Sequence, residues 1–285
     1  MKKISFIILT FNNERSILGL LDNLKKVQDS EILVVDSFST DNTCQILANE
    51  GILFIQNKFL NYSQQRNFSL TNLVINSDFV FCIDSDELLD ISLVNWINDT
   101  DLSTLSKFDG YYLVRKVIFM GKFIRFGGVY PTYHMRLFKK DKGWCEDKTY
   151  DQHFYVNGNV AKIKSGAIID PVMSNLESFI ASHNRWSSLE KYHSFNRSID
   201  AVKAKLFGNA IERRRYLKKI FIMFPNGYRG AILFIIKYFF LLGFFDGYRG
   251  FLFHFFNSFW FRTLVDAKIY ENKNKGNVDL KEFKL

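Results

Sequence analysis

Three carboxylates crowd into four residues where the apolar run Phe79–Ile83 ends: Asp84, Asp86 and Glu87 of FVFCIDSDE. Burying unpaired carboxylates is costly or forces them to take up protons. The run therefore predicts either a solvent-facing strand end or a positive partner. Asp84 and Asp86 are two apart and share one side of an extended strand end. Two carboxylates so placed can hold a hard divalent cation, Mn2+ or Mg2+, whose other ligands are water and phosphate oxygens. Such an ion steadies the charge that builds when a diphosphate leaves. An EF-hand loop would need further oxygen ligands and a glycine where Leu88 and Leu89 stand. A haloacid-dehalogenase-type phosphatase would need Thr or Val at Leu88. A polar strand end with no chemistry is the plain alternative, because a bare DxD arises readily by chance.

The elements around this run decide between these readings. Ile4–Phe11, Glu31–Asp36, Ile52–Gln56 and Phe79–Asp84 are apolar runs that predict buried strands. Glu14–Val27, a helix capped by Thr40–Thr43 and ending near Gly51, and Ser63–Asn76 alternate with them. Successive βα units of this kind predict a mainly parallel sheet flanked by helices. Ligands bind at the carboxyl ends of such strands. Three strands end in polar residues, at Thr10–Asn12, Asp36–Ser37 and Asp84–Asp86, so neighbouring strands would bring them to one crevice. The loop after the first strand lacks GxGxxG, which argues against a dinucleotide fold. Further strands are predicted at Gly110–Phe119 and His134–Lys139, and helix over 174–200 with caps at Ser174 and Asn175.

The formal net charge is +9, and it lies at one end of the chain. Residues 200–285 hold 16 Lys/Arg against 7 Asp/Glu, whereas the first 199 balance at 22 each. An acidic partner is therefore predicted for the tail, lipid headgroups or nucleic acid. No recognition helix or RRM/OB aromatic pattern supports nucleic acid. Cys44, Cys82 and Cys145 include no CxxC pair, which fits a reducing cytosol and offers no zinc site. The opening MKKISFIILTFNNER reads as the first strand, its apolar run being too short for a signal peptide.

The segments ILTFNNE, VVDSFSTDNT, SQQRNFSL and FCIDSDE, in that order, resemble inverting glycosyltransferases of family 2, which have the GT-A fold. RLFKKDKGWCEDKTYDQHFYVNG, SHNRWSSLEKY and the final GFFDGYRGFLFHFFNSFWFRTLVDAKIYE resemble the bacterial branch that builds lipopolysaccharide core and other surface glycans. The resemblance implies an α/β GT-A (Rossmann-like) domain over 1–200 and a helical, aromatic-rich region over 201–285.

It also implies roles for particular residues. Asp36 would accept the N3–H of a uracil-like base, with Thr10, Asn12 and Glu14 on the nucleotide-sugar side. Arg66 would contact the nucleotide, a solvated helix arginine being nearly as good a reading. Asp84 would touch ribose and metal, and Asp86 would be the main metal ligand, with His183 or His153 as an added one. The acid that deprotonates the acceptor hydroxyl would come from CEDKTYDQHF: Asp151 first, with Glu146 and Asp147 as alternatives. A positioned base of this kind contributes roughly 10²–10⁴-fold. Trp144 and Trp186 would stack on an acceptor sugar, or pack in a core.

In the tail, Ala231–Phe245 and Gly250–Phe261 are apolar but shorter than the ~20 residues a spanning helix needs. Beside ERRRYLKK they suit helices lying in the membrane interface, with Arg213, Arg214, Arg215, Lys218 and Lys219 on anionic headgroups. A hairpin packed on the catalytic domain, or an oligomer contact, is the alternative. The expected activity is metal-dependent transfer of a hexose from a nucleotide-diphosphate sugar, UDP favoured, to a lipid-linked glycan. The expected place is the cytoplasmic face of a bacterial inner membrane. The rivals are a polyprenyl-phosphate glycosyltransferase and a non-catalytic nucleotide-sugar-binding scaffold.

Overall fold

The computed structural model describes residues 2–147, 152–172, 175–195, 207, 216, 220, 221, 223–225 and 227–273. Two compact units emerge: residues 1–125 with 129–172, and residues 126–128 with 173–285.

The first unit is a mixed sheet. Strands β1 (Lys2–Thr10), β2 (Ser30–Asp36), β3 (Leu53–Gln56) and β4 (Ser77–Asp84) alternate with helices α1 (Ile17–Leu24), α2 (Thr43–Asn49) and α3 (Tyr62–Asn72). After them come β5 (Leu88–Leu89), α4 (Ile91–Asp99) and the short α5 (Leu102–Leu105). Strands β6 (Gly110–Phe119), β7 (Lys122–Phe123), β8 (Thr132–Lys139), β11 (Val160–Lys162) and β12 (Ile168–Pro171) complete the sheet, while β9 (Gly143–Cys145) and β10 (Phe154–Val156) pair antiparallel as a separate two-stranded sheet. The order is β3-β2-β1-β4-β8-β6-β12-β5, with β7 and β11 also on β6. Strands β3, β2, β1 and β4 run parallel, whereas β8 is antiparallel to both β4 and β6.

Side-chain alternation divides the core. Ile4, Phe6 and Ile8 of β1 pack with Phe79, Phe81 and Ile83 of β4 and Leu20, Leu21 and Leu24 of α1. Ile7, Val80 and Cys82 face the other way, toward Phe138, Cys145 and Phe154. The period of two thus buries both faces, as continuous apolar strands require. Helix α1 is shorter than Glu14–Val27. Helix α3 stops at Asn72, where Leu73 becomes extended, rather than at Asn76.

The second unit is helical. Helix α6 (Leu176–Phe195) opens with Asn175 accepting from the Ser178 N–H at 2.8 Å, as its predicted cap role requires. Helix α7 (Arg229–Ile235) continues into a π-helical turn, Ile236–Phe240, and α8 (Gly247–His254) into another, Phe255–Trp260. Helix α9 (Phe261–Lys273) packs on α6 through Phe261, Val265 and Ile269 with Trp186. An Arg262–Glu190 ion pair joins the same two helices.

The echo NGYRG/DGYRG has a structural meaning. Gly227 and Gly247 both adopt positive φ, +92° and +64°, at the turns that open α7 and α8. Three residues on, Gly230 and Gly250 sit where a Cβ would lie 2.6 Å from the Phe259 carbonyl and 2.3 Å from Asp246 Cβ. Each motif supplies one glycine to turn and one to permit close packing.

Candidate active site

The register places the polar strand ends side by side. Thr10 pairs with Asp36 across β1–β2, and Leu9 pairs with Asp84 across β1–β4. The convergence expected from the sequence therefore holds.

Asp36 is fully buried. Its carboxylate accepts from the Thr10 hydroxyl at 3.1 Å, the Ser39 N–H at 2.9 Å, the Ser39 hydroxyl and Gln56 Nε2 at 3.0 Å. Burial works to raise its pKa, but the bonds from Ser39 and Gln56 outweigh it and hold the group below the usual carboxylate range. Burial and then Asp36 push the neighbouring Cys44 thiol up to about 11. Asn12 and Glu14 brace the next loop. Asn12 Oδ1 accepts from the Thr40 N–H at 2.8 Å, and Glu14 Oε2 accepts from the Asn42 N–H at 3.1 Å. Thr10 is itself buried, with its hydroxyl turned to Asp36 rather than open to a ligand.

The positive partners of the acidic run are arginines. Arg66 of α3 donates to Asp84 Oδ1 at 3.0 Å, and Arg136 of β8 donates to Asp84 Oδ2 at 2.8 Å. Arg136 also meets Glu87 at 2.8 Å, while the Asp84 N–H donates to the other Glu87 oxygen at 3.0 Å. Burial works to raise Asp84's pKa, yet Arg136 and then Arg66 overcome it and hold the group far below the usual range. Burial drives Glu87 upward against the pull of Arg136.

Asp86 differs. It is exposed, and among the described residues its carboxylate forms no ion pair. Crowding by protein atoms, then the charges of Asp84 and Asp170, push it up to about 6, with solvent screening tempering the shift.

Arg136 and Asp170 are the residues that sequence reasoning missed. Asp170 lies on β12, parallel to β6, beside the β5 segment that follows Glu87. It pairs with Arg115 at 3.1 Å, and burial raises its pKa first of all. Its signal was legible, since an acid at the end of an apolar run, IID, repeats the pattern of VVD and CID.

Asp86 fits a divalent ion best, because it alone of the acidic run is open. Both Asp84 oxygens are engaged by guanidiniums, which corrects the picture of two free carboxylates. Among the described residues, no three His, Cys, Asp or Glu side chains gather as a cage. One carboxylate plus waters and phosphate oxygens is a sufficient set for Mn2+ or Mg2+.

The remaining candidates fall in several places. Trp144 is 49% exposed on the β9–β10 hairpin, beside Tyr155. Glu146 is buried beside α3, its carbonyl accepting from the Ser63 hydroxyl at 2.7 Å, while Asp147 is exposed. The His153 carbonyl accepts from the Glu146 N–H at 2.9 Å. His183 is a core residue of the helical unit, stacked on Phe179 at 3.8 Å and edge-on to Trp186 at 4.8 Å. Its Nδ1 lies 2.9 Å from the Phe179 carbonyl, so packing accounts for both His183 and Trp186. Asp151, Arg213, Arg214, Arg215, Lys218 and Lys219 lie outside the described residues.

The curled, mainly parallel sheet with acids at one carboxyl edge resembles the GT-A fold. The chain belongs to glycosyl transferase family 2, whose model matches residues 5–156. It is 39% identical over 89 residues to an uncharacterized glycosyltransferase of Rickettsia typhi, covering 31% of this chain and 30% of that one. A second, from Rickettsia prowazekii, is 38% identical over 89 residues with the same coverage. The matched stretch thus spans under a third of these relatives' length. Among solved structures, the mannosyltransferase PcManGT from Pyrobaculum calidifontis, in complex with GDP-Man and Mn2+, is similar at TM-score 0.50 and 15% identity, covering 95% of this chain and 88% of that one. TarS 1-349 of S. aureus in complex with UDP-GlcNAc gives 0.44 at 14% identity, covering 97% and 93%.

Proposed function

We propose that this glycosyltransferase moves a hexose from a nucleotide-diphosphate sugar, UDP favoured, to a hydroxyl of a lipid-linked glycan, inverting the anomeric centre. One observation carries the reading. Asp36, Asp84 and Asp86 share one carboxyl edge, with Asp36 buried and ionised, Asp84 held by two arginines, and Asp86 open. Asp36 accepts the base N3–H by giving up one of its present donors. Arg66 and Arg136 bring positive charge to the diphosphate. Asp86 holds Mn2+ or Mg2+, which when bound neutralises the departing diphosphate; the Mn2+ in the PcManGT complex supports this choice.

The acceptor oxygen bonds to the anomeric carbon as the carbon–phosphate oxygen bond breaks. The hydroxyl proton passes to a carboxylate of the 146–151 segment, Asp151 first, then Glu146 or Asp147. Trp144 offers a face to the acceptor sugar. A glycan of the lipopolysaccharide or surface-polysaccharide kind, carried on lipid at the inner face of the membrane, suits the basic tail.

Calorimetric titration of UDP, GDP, dTDP and CMP, with and without Mn2+, into wild type and Asp86→Ala tests the donor half. One nucleotide binding with metal, lost in Asp86→Ala, is the expected result. Absence of binding by all four removes the reading.

A further inference from the structure

The helical unit carries an apolar surface that stays exposed among the described residues. Between α7 and α8 the backbone bends sharply at Leu242, a non-glycine residue at φ +63°. Around this bend Ile235, Ile236, Phe239, Phe240, Leu241, Leu242, Phe244 and Phe245 are each 40–76% exposed. Scattered exposed apolar residues are ordinary, whereas a contiguous set of this size marks a surface that meets something apolar.

Its shape and charge say what. No single described helix is long and apolar enough to cross a bilayer. Arg229–Phe240 and Gly243–Lys273 together reach the needed length and composition, but they meet at 76°. A bent pair presents its corner, not a span. The only acid from 229 to 262 is Asp246, and it is buried, accepting from the Phe126 N–H at 2.8 Å. Arg249 is exposed beside the corner, and Lys237 lies on the turn before it. An apolar corner with cations at its shoulders and no exposed acid between residues 229 and 262 complements anionic phospholipid, whose headgroups meet the cations while its acyl chains cover the rings.

We infer that residues 235–248 form a re-entrant wedge that inserts into one leaflet of an anionic membrane and anchors the enzyme there. This deepens, and rests on, the membrane-borne acceptor proposed above. The wedge, not the basic run 213–219, is then the main source of binding energy, and the cations contribute lipid preference.

The test uses the full chain and sedimentation with vesicles of phosphatidylcholine, alone or mixed with phosphatidylglycerol. The triple variant Phe239→Ser/Phe240→Ser/Phe245→Ser changes only exposed positions, so the fold should survive. It should lower partitioning by about tenfold or more, since each buried aromatic ring is a large apolar surface. Charge removal at Arg213, Arg214 and Arg215 should instead reduce only the preference for phosphatidylglycerol. Phe240→Trp should be quenched by acyl-brominated lipid. Wild-type partitioning in the triple variant overturns the wedge, as does unquenched Phe240→Trp. So does finding that the wild type dimerises through this patch and ignores vesicles. Nucleotide titration of the same samples separates the two readings: vesicle binding without nucleotide binding keeps the wedge and removes the transferase, and the converse does the opposite.

Discussion

Arg136 Nη2 lies 2.8 Å from Asp84 Oδ2, joining the middle of β8 to the last residue of β4. Arg66 takes the other oxygen of the same carboxylate. The negative charge that ends this core strand is therefore met by the protein itself before any ligand arrives. Both guanidiniums then stand at the edge where a diphosphate would bring its own charge. Asp84 holds two arginines, and Asp86 is the open carboxylate of the run.

Replacing Arg136 should be severe. Arg136 is buried, and its loss leaves Glu87 without a cation and Asp84 with Arg66 alone. Removing one partner of a buried pair costs about 3–5 kcal/mol. Arg136→Met should lower the unfolding free energy by that order in urea titrations. Glu87→Gln in the same background should recover part of it, because the buried carboxylate left without a cation is gone. An unchanged midpoint in Arg136→Met would mean the pair carries no stability.

Asp36 can be followed through its neighbour. Burial first, and Asp36 next, keep the Cys44 thiol protonated up to about 11. Asp36→Asn removes the negative charge, so the pKa falls and the thiolate fraction at a given pH rises. Each unit of fall is about tenfold in thiolate. Alkylation of Cys44 by iodoacetamide should therefore quicken in Asp36→Asn, while the buried Cys82 and Cys145 stay silent. A slower or unchanged rate contradicts this arrangement. The same variant should also lose affinity for the nucleotide base.

What the sequence disclosed follows from range. Strands β1, β2 and β4 were legible because their apolar runs stop at Thr10, Asp36 and Asp84, and parallel βα succession made them neighbours. Arg136 was not legible as a site residue. Its place depends on β8 pairing antiparallel to β4, a contact between residues more than fifty apart that no local pattern announces. Asp170 carried a local sign, the acid ending IID, but its place beside the site depends on the long-range pairing of β12 with β6 and β5. His183 and Trp186 stood open between packing and binding, because a histidine and a tryptophan three residues apart read alike in either role, and the structure packs them against Phe179 and Phe261. In the tail the apolar runs were plain, but the bend was not, because the left-handed position falls on Leu242 rather than on the neighbouring Gly243.

Metal dependence should carry a pH signature. Asp86 must be ionised to hold Mn2+, and its carboxyl is pushed up to about 6. Mn2+-assisted nucleotide binding should therefore be full above that value. It should fall as pH drops through it, earlier than an ordinary carboxylate would allow. Asp86→Ala should abolish the metal effect at every pH, and Asp170→Asn should move the fall to lower pH by removing a neighbouring charge. Calorimetry at several pH values measures both. A metal effect that persists below about pH 5 would assign the ion to other ligands.

His254 makes the helical unit acid-sensitive. Its ring is fully buried against Gly127 and Gly243, and neither nitrogen has a hydrogen-bond partner among the described residues. Burial and then the charge of Lys237 push its pKa down to about 4. The unfolded chain takes up a proton near the ordinary value of about 6.5, which the folded state refuses. His254's share of stability is thus intact above about pH 6.5 and lost as pH falls from there toward 4, to a limit of about 3 kcal/mol. Urea midpoints should drop between about pH 7 and pH 5, with unfolding followed by the fluorescence of Trp186 and Trp260. His254→Gln should flatten that drop, since glutamine cannot take up the proton. An equal pH slope in His254→Gln would move the acid sensitivity to another group.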